Sequence, residues 1–272
     1  MCLAVWSIAQ SARFPWVVAS NRDEYHDRAS APLGWWHPAP HSEVLSGRDL
    51  VGGGSWLGVN RQGRLALVTN VREPGVFDPA AASRGTLVLQ GLQRCPQDVA
   101  WIEAMAQEAR NGYNLILADL RTSHAVWTSN RASGLITMDR GLHGLSNALL
   151  DTPWPKVVAL KQRLAEAVSQ SADVDTLITA AMDVLSQREI APDEALPSTG
   201  IPIAMERALA PAFIHLAAAI GNAARPYGTR CSTVVVVDQQ GPVRCVHVVE
   251  RRYDATGTVC GSNREFFELA AP

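Results

Sequence analysis

The residue with the clearest chemical potential is Cys2, which directly follows Met1 in the sequence. Methionine aminopeptidases remove an initiator methionine when the next side chain is small, and a cysteine side chain is small enough. The chain would then begin with a residue that carries both a thiol and a free α-amine. Because an α-amine has a pKa of about 7.7–8.0, it can act as a general base near neutral pH. Cys2 is therefore predicted to be a nucleophile that carries its own base.

Polar residues that could complete such a site stand near the ends of predicted strands. The tetrapeptide Asn-Arg-Asp-Glu, which includes Arg22 and Asp23, follows the second predicted strand. Asn70 ends the predicted strand 65–69, and Asn147 follows the segment 141–146. Arg230 stands just before the predicted strand that starts at Ser232. Amide groups can stabilise an oxyanion, a cation favours a thiolate, and a carboxylate can hold an α-amine. The two asparagines, the two arginines and the aspartate are predicted to fill these roles.

Each of these residues also has an interpretation that involves no chemistry. The tetrapeptide at 21–24 could be a polar turn, and the two asparagines could make local hydrogen bonds in turns. Arg230 could be a surface charge. Three glycines at 52–54 do not form a phosphate loop, because no Gly-Lys-Ser/Thr follows them. We expect these glycines to let the backbone lie close to another segment.

The composition is that of an ordinary globular protein and excludes several functional classes. The 272 residues are 47% hydrophobic and 18% charged, and the formal net charge is −2. No run of Lys and Arg indicates a nucleic-acid surface. The five cysteines form no CxxC motif, which disfavours structural zinc and covalently attached haem.

The sequence carries no signal for secretion or membrane insertion. No basic segment followed by an apolar stretch stands at the N-terminus. The most apolar stretch, 208–224, is interrupted by Pro211, His215 and Asn222. We therefore expect a cytoplasmic protein with reduced cysteines, no transmembrane segment and a single domain over 1–272. The sequence does not predict an oligomeric state.

Hydrophobic periodicity predicts an α+β protein with segregated strands and helices. The predicted strands are 2–9, 16–20, 56–59, 65–69, 113–120, 125–128, 135–138, 232–238, 243–251 and 264–269. The predicted helices are 84–92, 96–110, 155–169, 173–187 and 203–209. Segment 29–41 is rich in Pro and Trp and is expected to be a surface loop. Because strands and helices do not alternate regularly, segregated layers are favoured over a doubly wound parallel sheet.

The tetrapeptide at 21–24, together with the Cys2 start, resembles the NRDE family, also called the Transport and Golgi organization protein 2 family. Further matching strings occur in order along nearly the whole chain. They are Leu-Ser-Gly-Arg-Asp-Leu (45–50), Gly-Ser-Trp-Leu-Gly-Val (54–59), Leu-Val-Thr-Asn (67–70), Tyr-Asn-Leu-Ile (113–116), Gly-Leu-Ser-Asn-Ala-Leu-Leu-Asp-Thr-Pro-Trp (144–154) and Tyr-Gly-Thr-Arg (227–230).

This family is in turn similar to the N-terminal-nucleophile (Ntn) hydrolases of the penicillin V acylase and bile-salt hydrolase type. The resemblance implies a four-layer αββα sandwich, with antiparallel sheets between helix layers, and cleavage of amides. The site residues that it implies are Cys2, Arg22, Asp23, Asn70, Asn147 and Arg230. The acylases separate the early arginine and aspartate by two residues, whereas here they are adjacent. Since adjacent strand residues point to opposite faces, we expect one of the two to miss the cleft unless a turn or bulge intervenes, and Glu24 is then a substitute.

The first functional hypothesis is an N-terminal-cysteine hydrolase or acyl-transfer enzyme that acts on an amide or thioester of a small acyl substrate. The alternative is a non-catalytic carrier for haem or acyl-CoA, since the resemblance also links the family to haem trafficking and lipid homeostasis. A third hypothesis is a degenerate fold that acts through partners. No cofactor is expected, and haem enters only as a ligand of the carrier. The carrier's cleft would be lined by Trp35, Trp36 and Trp56, and the candidate iron ligands are Cys2, His26, His37 and His143.

Overall fold

The computed structural model describes residues 2–216 and 225–269. Met1, where processing is predicted, and 217–224, which belong to the apolar stretch, lie outside the described residues. The strands are β1 Cys2–Ile8, β2 Trp16–Tyr25, β3 Ser30–Trp36, β4 Val44–Asp49, β5 Leu57–Val59, β6 Arg64–Asn70, β7 Tyr113–Asp119, β8 His124–Ser129, β9 Leu135–Met138, β10 Gly141–Leu145, β11 His215–Leu216, β12 Tyr227–Gln240, β13 Val243–Tyr253 and β14 Val259–Leu269. The α-helices are α1 Gly85–Gly91, α2 Val99–Ala106, α3 Pro155–Gln170, α4 Val174–Leu185 and α5 Ile203–Ala208.

The strands form two antiparallel sheets. In the first sheet the order is β10-β1-β2-β12-β13-β14, and β11 pairs with β12. In the second sheet the order is β3-β4-β5-β6-β7-β8-β9. Neighbours in the second sheet are thus consecutive in sequence, whereas the first sheet is assembled from both ends of the described chain.

Hydrophobic side chains fill three layers between the elements. Ala4 and Trp6 of β1 face the second sheet, whereas Leu3 and Val5 face α3 and α4. On the other side of the molecule, α1 and α2 pack on the second sheet through residues such as Leu87. The order of layers is helices, sheet, sheet, helices. The structure therefore confirms the predicted αββα sandwich.

The helices that cover the first sheet begin where the sequence signals predict. Pro155 stands at the first position of α3, where its missing N–H group leaves no helical hydrogen bond unmade. Asp173 caps α4 by accepting a hydrogen bond from the backbone N–H of Thr176 at 2.8 Å. Buried side chains recur at helical spacing on α3, including Leu160 and Leu164, and form the face that packs on the sheet.

Several predicted boundaries were wrong. Segment 29–41 contains β3 and is not only a loop, and α2 is shorter than the predicted helix 96–110. The tetrapeptide at 21–24 lies inside β2, not after it, because β2 continues to Tyr25. Arg230 likewise lies inside β12. Among the described residues, no helix is both long and apolar enough to span a membrane.

Candidate active site

One row of side chains crosses the first sheet at the end where β1 begins. Cys2 pairs with Arg22, Arg22 with Cys231, and Cys231 with Arg252. Cys2 and Cys231 face the second sheet, and paired residues share a face. We call these four residues the charged row. Residues far apart in sequence thus become neighbours because both ends of the described chain pair in the first sheet.

A cleft of about 740 Å³ opens at the Cys2 end of this row. Cys2, Arg22, Asp23, Glu24 and Asn70 all line it. Its other lining residues include Tyr25, Arg28, Asp49, Val51, Trp56, Val68, Phe77, Asp78, Ser83, Arg84, Asn111, Arg225 and Tyr227. The volume lies in the range of small-molecule sites. Four of the six predicted site residues therefore meet at one cavity.

Cys2 is buried, with 8% of the residue exposed, and the burial of its thiol has an electrostatic consequence. Burial raises the pKa of the Cys2 thiol, and the charge of Arg22 opposes that rise with a smaller effect. Arg22 thus favours the thiolate as expected, but burial outweighs its effect. Since the resting form is a neutral thiol, the group needs a base to become a nucleophile.

The Arg22 guanidinium is held between the two sheets. Its Cζ lies 4.4 Å from the centre of the Trp56 ring, and its Nη2 lies 3.4 Å from Asp49 Oδ2. Gly47 leaves the space for Trp56, because a Cβ at this glycine would lie 2.5 Å from the ring. Within the described residues, Arg22 Nη1 is buried and has no hydrogen-bond partner. Arg22 therefore offers an unused donor.

Asp23 lies beside Arg22 but turns toward the helices. Its Oδ1 accepts a hydrogen bond from Thr229 Oγ1 at 2.7 Å, and Lys156 of α3 acts on it electrostatically. Burial raises the pKa of Asp23, while the charge of Lys156 lowers it. Both Arg22 and Asp23 nevertheless line the cleft, as does Glu24. The adjacency of the two residues thus keeps neither from the cavity, and a bulge lies in the partner strand, between Thr229 and Cys231.

The two candidate oxyanion donors touch each other. Asn147 Nδ2 donates to the backbone carbonyl oxygen of Asn70 at 2.9 Å. Asn70 lines the cleft, and its side chain makes no hydrogen bond to another described residue. Asn147 is buried and does not line the cleft. Asn70 is therefore the better-placed donor, and Asn147 positions the end of β6.

Arg230 does not line the Cys2 cleft. Its Nη1 donates to the carbonyl oxygens of Tyr25 at 2.8 Å and Arg28 at 3.0 Å. Its position at the bulge of β12 directs it to a smaller cavity that also contains Arg22. The role of Arg230 as a cation near the thiol remains a prediction. Arg22, and not Arg230, is the arginine that pairs with Cys2.

Asp49 is a site residue that the sequence analysis missed. It binds Arg28 Nε at 2.9 Å and accepts the backbone N–H groups of Val51 and Gly52. It thereby links Arg22 to the glycine turn at 52–54. The turn approaches another segment as expected, since a Cβ at Gly54 would lie 2.2 Å from the backbone of Gly85.

Lys156 and Arg84 were also missed. Lys156 is buried, its Nζ donates to the Leu209 carbonyl oxygen at 2.8 Å, and burial lowers its pKa to about 8. The sequence feature that could have identified Lys156 is its position four residues before Leu160, which places a lysine on the apolar face of α3. Arg84 lines the cleft with no carboxylate partner among the described residues, and its Nη1 donates to the Gly112 carbonyl oxygen. No sequence signal pointed to Arg84.

The candidate haem ligands are not gathered at the cleft. None of His26, His37 and His143 lines it, and both ring nitrogens of His143 are hydrogen-bonded, to Asp151 and to the Asp139 carbonyl oxygen. Of the three tryptophans expected there, only Trp56 lines the cleft. Within residues 2–216 and 225–269, no three His, Cys, Asp or Glu side chains are arranged to hold a metal ion.

Among solved structures, the fold is similar to that of a Caenorhabditis elegans N-acylethanolamine-hydrolyzing acid amidase (NAAA) ortholog. The sequence identity is 11% and the TM-score is 0.48, with 86% of this chain and 92% of that chain covered.

Sequence comparisons identify closer relatives. The chain is 36% identical over 239 residues to a mouse protein, "Transport and Golgi organization 2 homolog", and to its human counterpart, covering 84% of this chain and 83% of each relative. A Drosophila melanogaster relative, "Transport and Golgi organization protein 2", is 25% identical over 268 residues, with 91% of this chain and 90% of the relative covered. The family model "Transport and Golgi organisation 2" matches residues 1–255. These matches confirm the resemblance seen in the sequence, and the chain belongs to the Transport and Golgi organisation 2 family.

Proposed function

We propose that the protein is an N-terminal-cysteine hydrolase or acyl-transfer enzyme that acts on an amide or thioester of a small acyl substrate. The observation that carries this proposal is the position of Cys2 on the wall of the 740 Å³ cleft, with Arg22 opposite it on the neighbouring strand. Asn70 lines the same cavity, and its side-chain amide makes no hydrogen bond to any of the residues that the structure describes. The three groups provide a nucleophile, a cation and an oxyanion donor around one space.

The raised pKa of the Cys2 thiol supports a mechanism with a built-in base. After loss of Met1, the α-amine of Cys2 would take the thiol proton as Sγ attacks the acyl carbon. When the tetrahedral intermediate collapses, the bond from carbon to the leaving nitrogen or sulfur breaks. The leaving group takes the proton back from the ammonium, and a thioester remains on Cys2. Water, or an acceptor nucleophile in acyl transfer, then gives a proton to the amine and displaces the thiol.

The other residues of the cleft would act on charge and orientation. Asn70 would donate to the oxygen that becomes negative in the intermediate, an interaction whose removal typically costs about 100- to 1000-fold in rate. Asp23 follows Arg22, the β2 residue that pairs with Cys2, and would orient the α-amine. Arg22 would stabilise the thiolate as it forms. The exposed side chains of Val51 and Phe77 at the cleft would contact the acyl group.

The test compares Cys2→Ala with Cys245→Ala. Cys245 lies in the same sheet and lines neither the cleft nor the smaller cavity. N-acyl amino acids, acyl-CoAs and lactams are offered to folded protein, and turnover and acyl-enzyme mass are measured. We expect Cys2→Ala to abolish both while Cys245→Ala retains them. The absence of any Cys2-dependent turnover or adduct across the panel would falsify the enzyme proposal.

One observation favours the carrier as a second candidate. Arg84 lines the cleft and has no carboxylate partner within the part of the chain that the structure describes, so the cavity has a cation available for an anionic ligand such as a haem propionate or an acyl-CoA phosphate. In that case, Cys2→Ala would retain saturable binding and Arg84→Gln would weaken it. Titration with haem and with acyl-CoA, monitored by absorbance and by calorimetry, separates this candidate from the enzyme.

A further inference from the structure

A second, smaller cavity shares Arg22 and Trp56 with the Cys2 cleft. It has a volume of about 70 Å³ and lies between the sheets, further along the charged row. We call this cavity the inner pocket. Its charged lining residues are Arg22, Arg230, Arg252 and Glu250. Three guanidinium groups thus meet a single carboxylate.

Two of these arginines have buried donors without partners. Arg22 Nη1 and Arg252 Nε are both inaccessible to solvent and make no hydrogen bond to any described residue. The nearest carboxylate atom to Arg252 Nε is Glu250 Oε1, at 3.8 Å, which is too long for a hydrogen bond. An unsatisfied buried donor on a charged group is unfavourable. Two such donors at one cavity indicate an acceptor that binds there.

The positions of Arg252 and Glu250 are set by their neighbours. The Arg252 guanidinium lies against Gly261, where a Cβ would come within 2.2 Å of Nη2. Glu250 Oε1 accepts the backbone N–H of Leu33 at 2.9 Å, so its carboxylate is tied to the second sheet. Arg230 is fixed by two backbone carbonyl oxygens. Backbone groups of both sheets therefore hold Glu250 and Arg230, whereas the Arg252 side chain, 37% exposed, packs against Gly261.

We propose that the inner pocket binds a small oxyanion, a carboxylate or a phosphate, between the guanidinium groups of Arg22 and Arg252. A guanidinium presents paired N–H donors that match the oxygens of such groups. A volume of about 70 Å³ holds a group of a few heavy atoms and excludes an acyl chain. This site goes beyond the proposed function, and it does not require Cys2 to be a catalyst.

The experiment measures binding of inorganic phosphate and, separately, acetate to the folded full chain by calorimetry. We expect Arg252→Gln to weaken the affinity for the preferred anion about tenfold, because one charged donor is lost. Arg251→Gln is the matched control, since Arg251 is the next residue on β13, points to the opposite face and lines neither cavity. We expect that control to leave the affinity unchanged.

A third variant moves the affinity in the other direction. Glu250→Gln keeps an oxygen that accepts the Leu33 N–H and removes the negative charge, so it should tighten binding about threefold. A variant that merely unfolded could not do this. All measurements are repeated in the Cys2→Ala background, so that the result does not depend on whether Cys2 is a catalyst. The anion site is wrong if neither anion binds saturably, or if Arg251→Gln weakens binding as much as Arg252→Gln.

Discussion

Two rows of side chains cross β1, β2, β12 and β13 on the same face of the first sheet, and only one of the two rows carries arginines. At one end, Ile8, Trp16, Val237, Val246 and Phe267 pair in order, and all belong to the hydrophobic core between the sheets. We call this set the apolar row. At the other end, the corresponding positions are the charged row of Cys2, Arg22, Cys231 and Arg252.

The difference separates the part of the layer that stabilises the fold from the part that can bind and react. The apolar row removes hydrocarbon from water, which is the main favourable contribution to folding. The charged row holds Arg22 at 5% exposure with a donor that no described residue satisfies, which costs stability. We therefore expect substitutions in the apolar row to change mainly stability and substitutions in the charged row to change mainly the reactivity of Cys2.

The largest effect on stability is expected at the apolar row. Trp16 is 1% exposed, and its Nε1 donates to the Thr122 carbonyl oxygen at 2.6 Å. Trp16→Ala should lower the free energy of unfolding by about 3–5 kcal/mol, because it leaves a large cavity. Urea denaturation measures this, with Trp16→Phe as a smaller perturbation. A loss below about 1 kcal/mol for Trp16→Ala would contradict the assignment of stability to this row.

A pH-dependent effect of intermediate size is expected behind the cleft. The folded-state pKa of Lys156 is about 8, below its unfolded value of about 10.5, so the unfolded chain binds more protons between these pH values. This group therefore makes stability rise as pH increases from about 8 to about 10.5. The rise is on the order of 3 kcal/mol at most. The stability of wild type should rise by that increment relative to Lys156→Met in urea melts across this range, and parallel curves would show that folding does not lower the pKa of Lys156.

Hydrophobic periodicity predicted most strands and helices because it reports which faces of an element are covered, whereas the four-layer order was implied by the family resemblance. It failed for β3, where Pro32 and two tryptophans resembled a loop. β3 is an edge strand whose register shifts between Ala31 and Gly34, and such a strand accommodates a proline that lacks an N–H donor. Edge position and register are tertiary properties that local composition does not report.

The candidate site was only partly predictable for a related reason. The motif strings located Cys2, Arg22, Asp23 and Asn70, which the structure brings to one cleft. They could not show that Arg230 turns away at a bulge. Arg84, far along the chain in sequence, carries no local pattern, because its place at the cleft depends on how α1 packs against the glycine turn.

A smaller effect is expected from changing the charged row itself. Arg22→Met should change the free energy of unfolding by less than about 1 kcal/mol, since Asp49, its ion-pair partner, keeps Arg28 and two backbone N–H donors. It should slow iodoacetamide labelling of Cys2 at pH 8 by about three- to tenfold, because the charge that lowers the thiol pKa is lost. The readout is the pH profile of labelling by mass spectrometry. An unchanged profile in folded protein would count against Arg22 as the cation.

The smallest effect on reactivity is expected at Arg230. Arg230→Gln should slow Cys2 labelling less than about twofold, because the guanidinium does not line the cleft. It should instead cost about 1–2 kcal/mol of stability, through loss of the hydrogen bonds to the Tyr25 and Arg28 carbonyl oxygens. The same labelling and urea experiments measure both quantities. A labelling defect as large as that of Arg22→Met would overturn this ranking.

The central claim is that Cys2 is a nucleophile whose base is its own α-amine. The most direct measurement is the intact mass of two preparations, one retaining Met1 and one from which it has been removed, after incubation with an unactivated N-acyl amide or a lactam. The account predicts a single acyl adduct at Cys2 in the chain without Met1, no adduct in the chain that keeps it, and none after unfolding. Equal acylation of both folded preparations, or an adduct that survives Cys2→Ala, would contradict it.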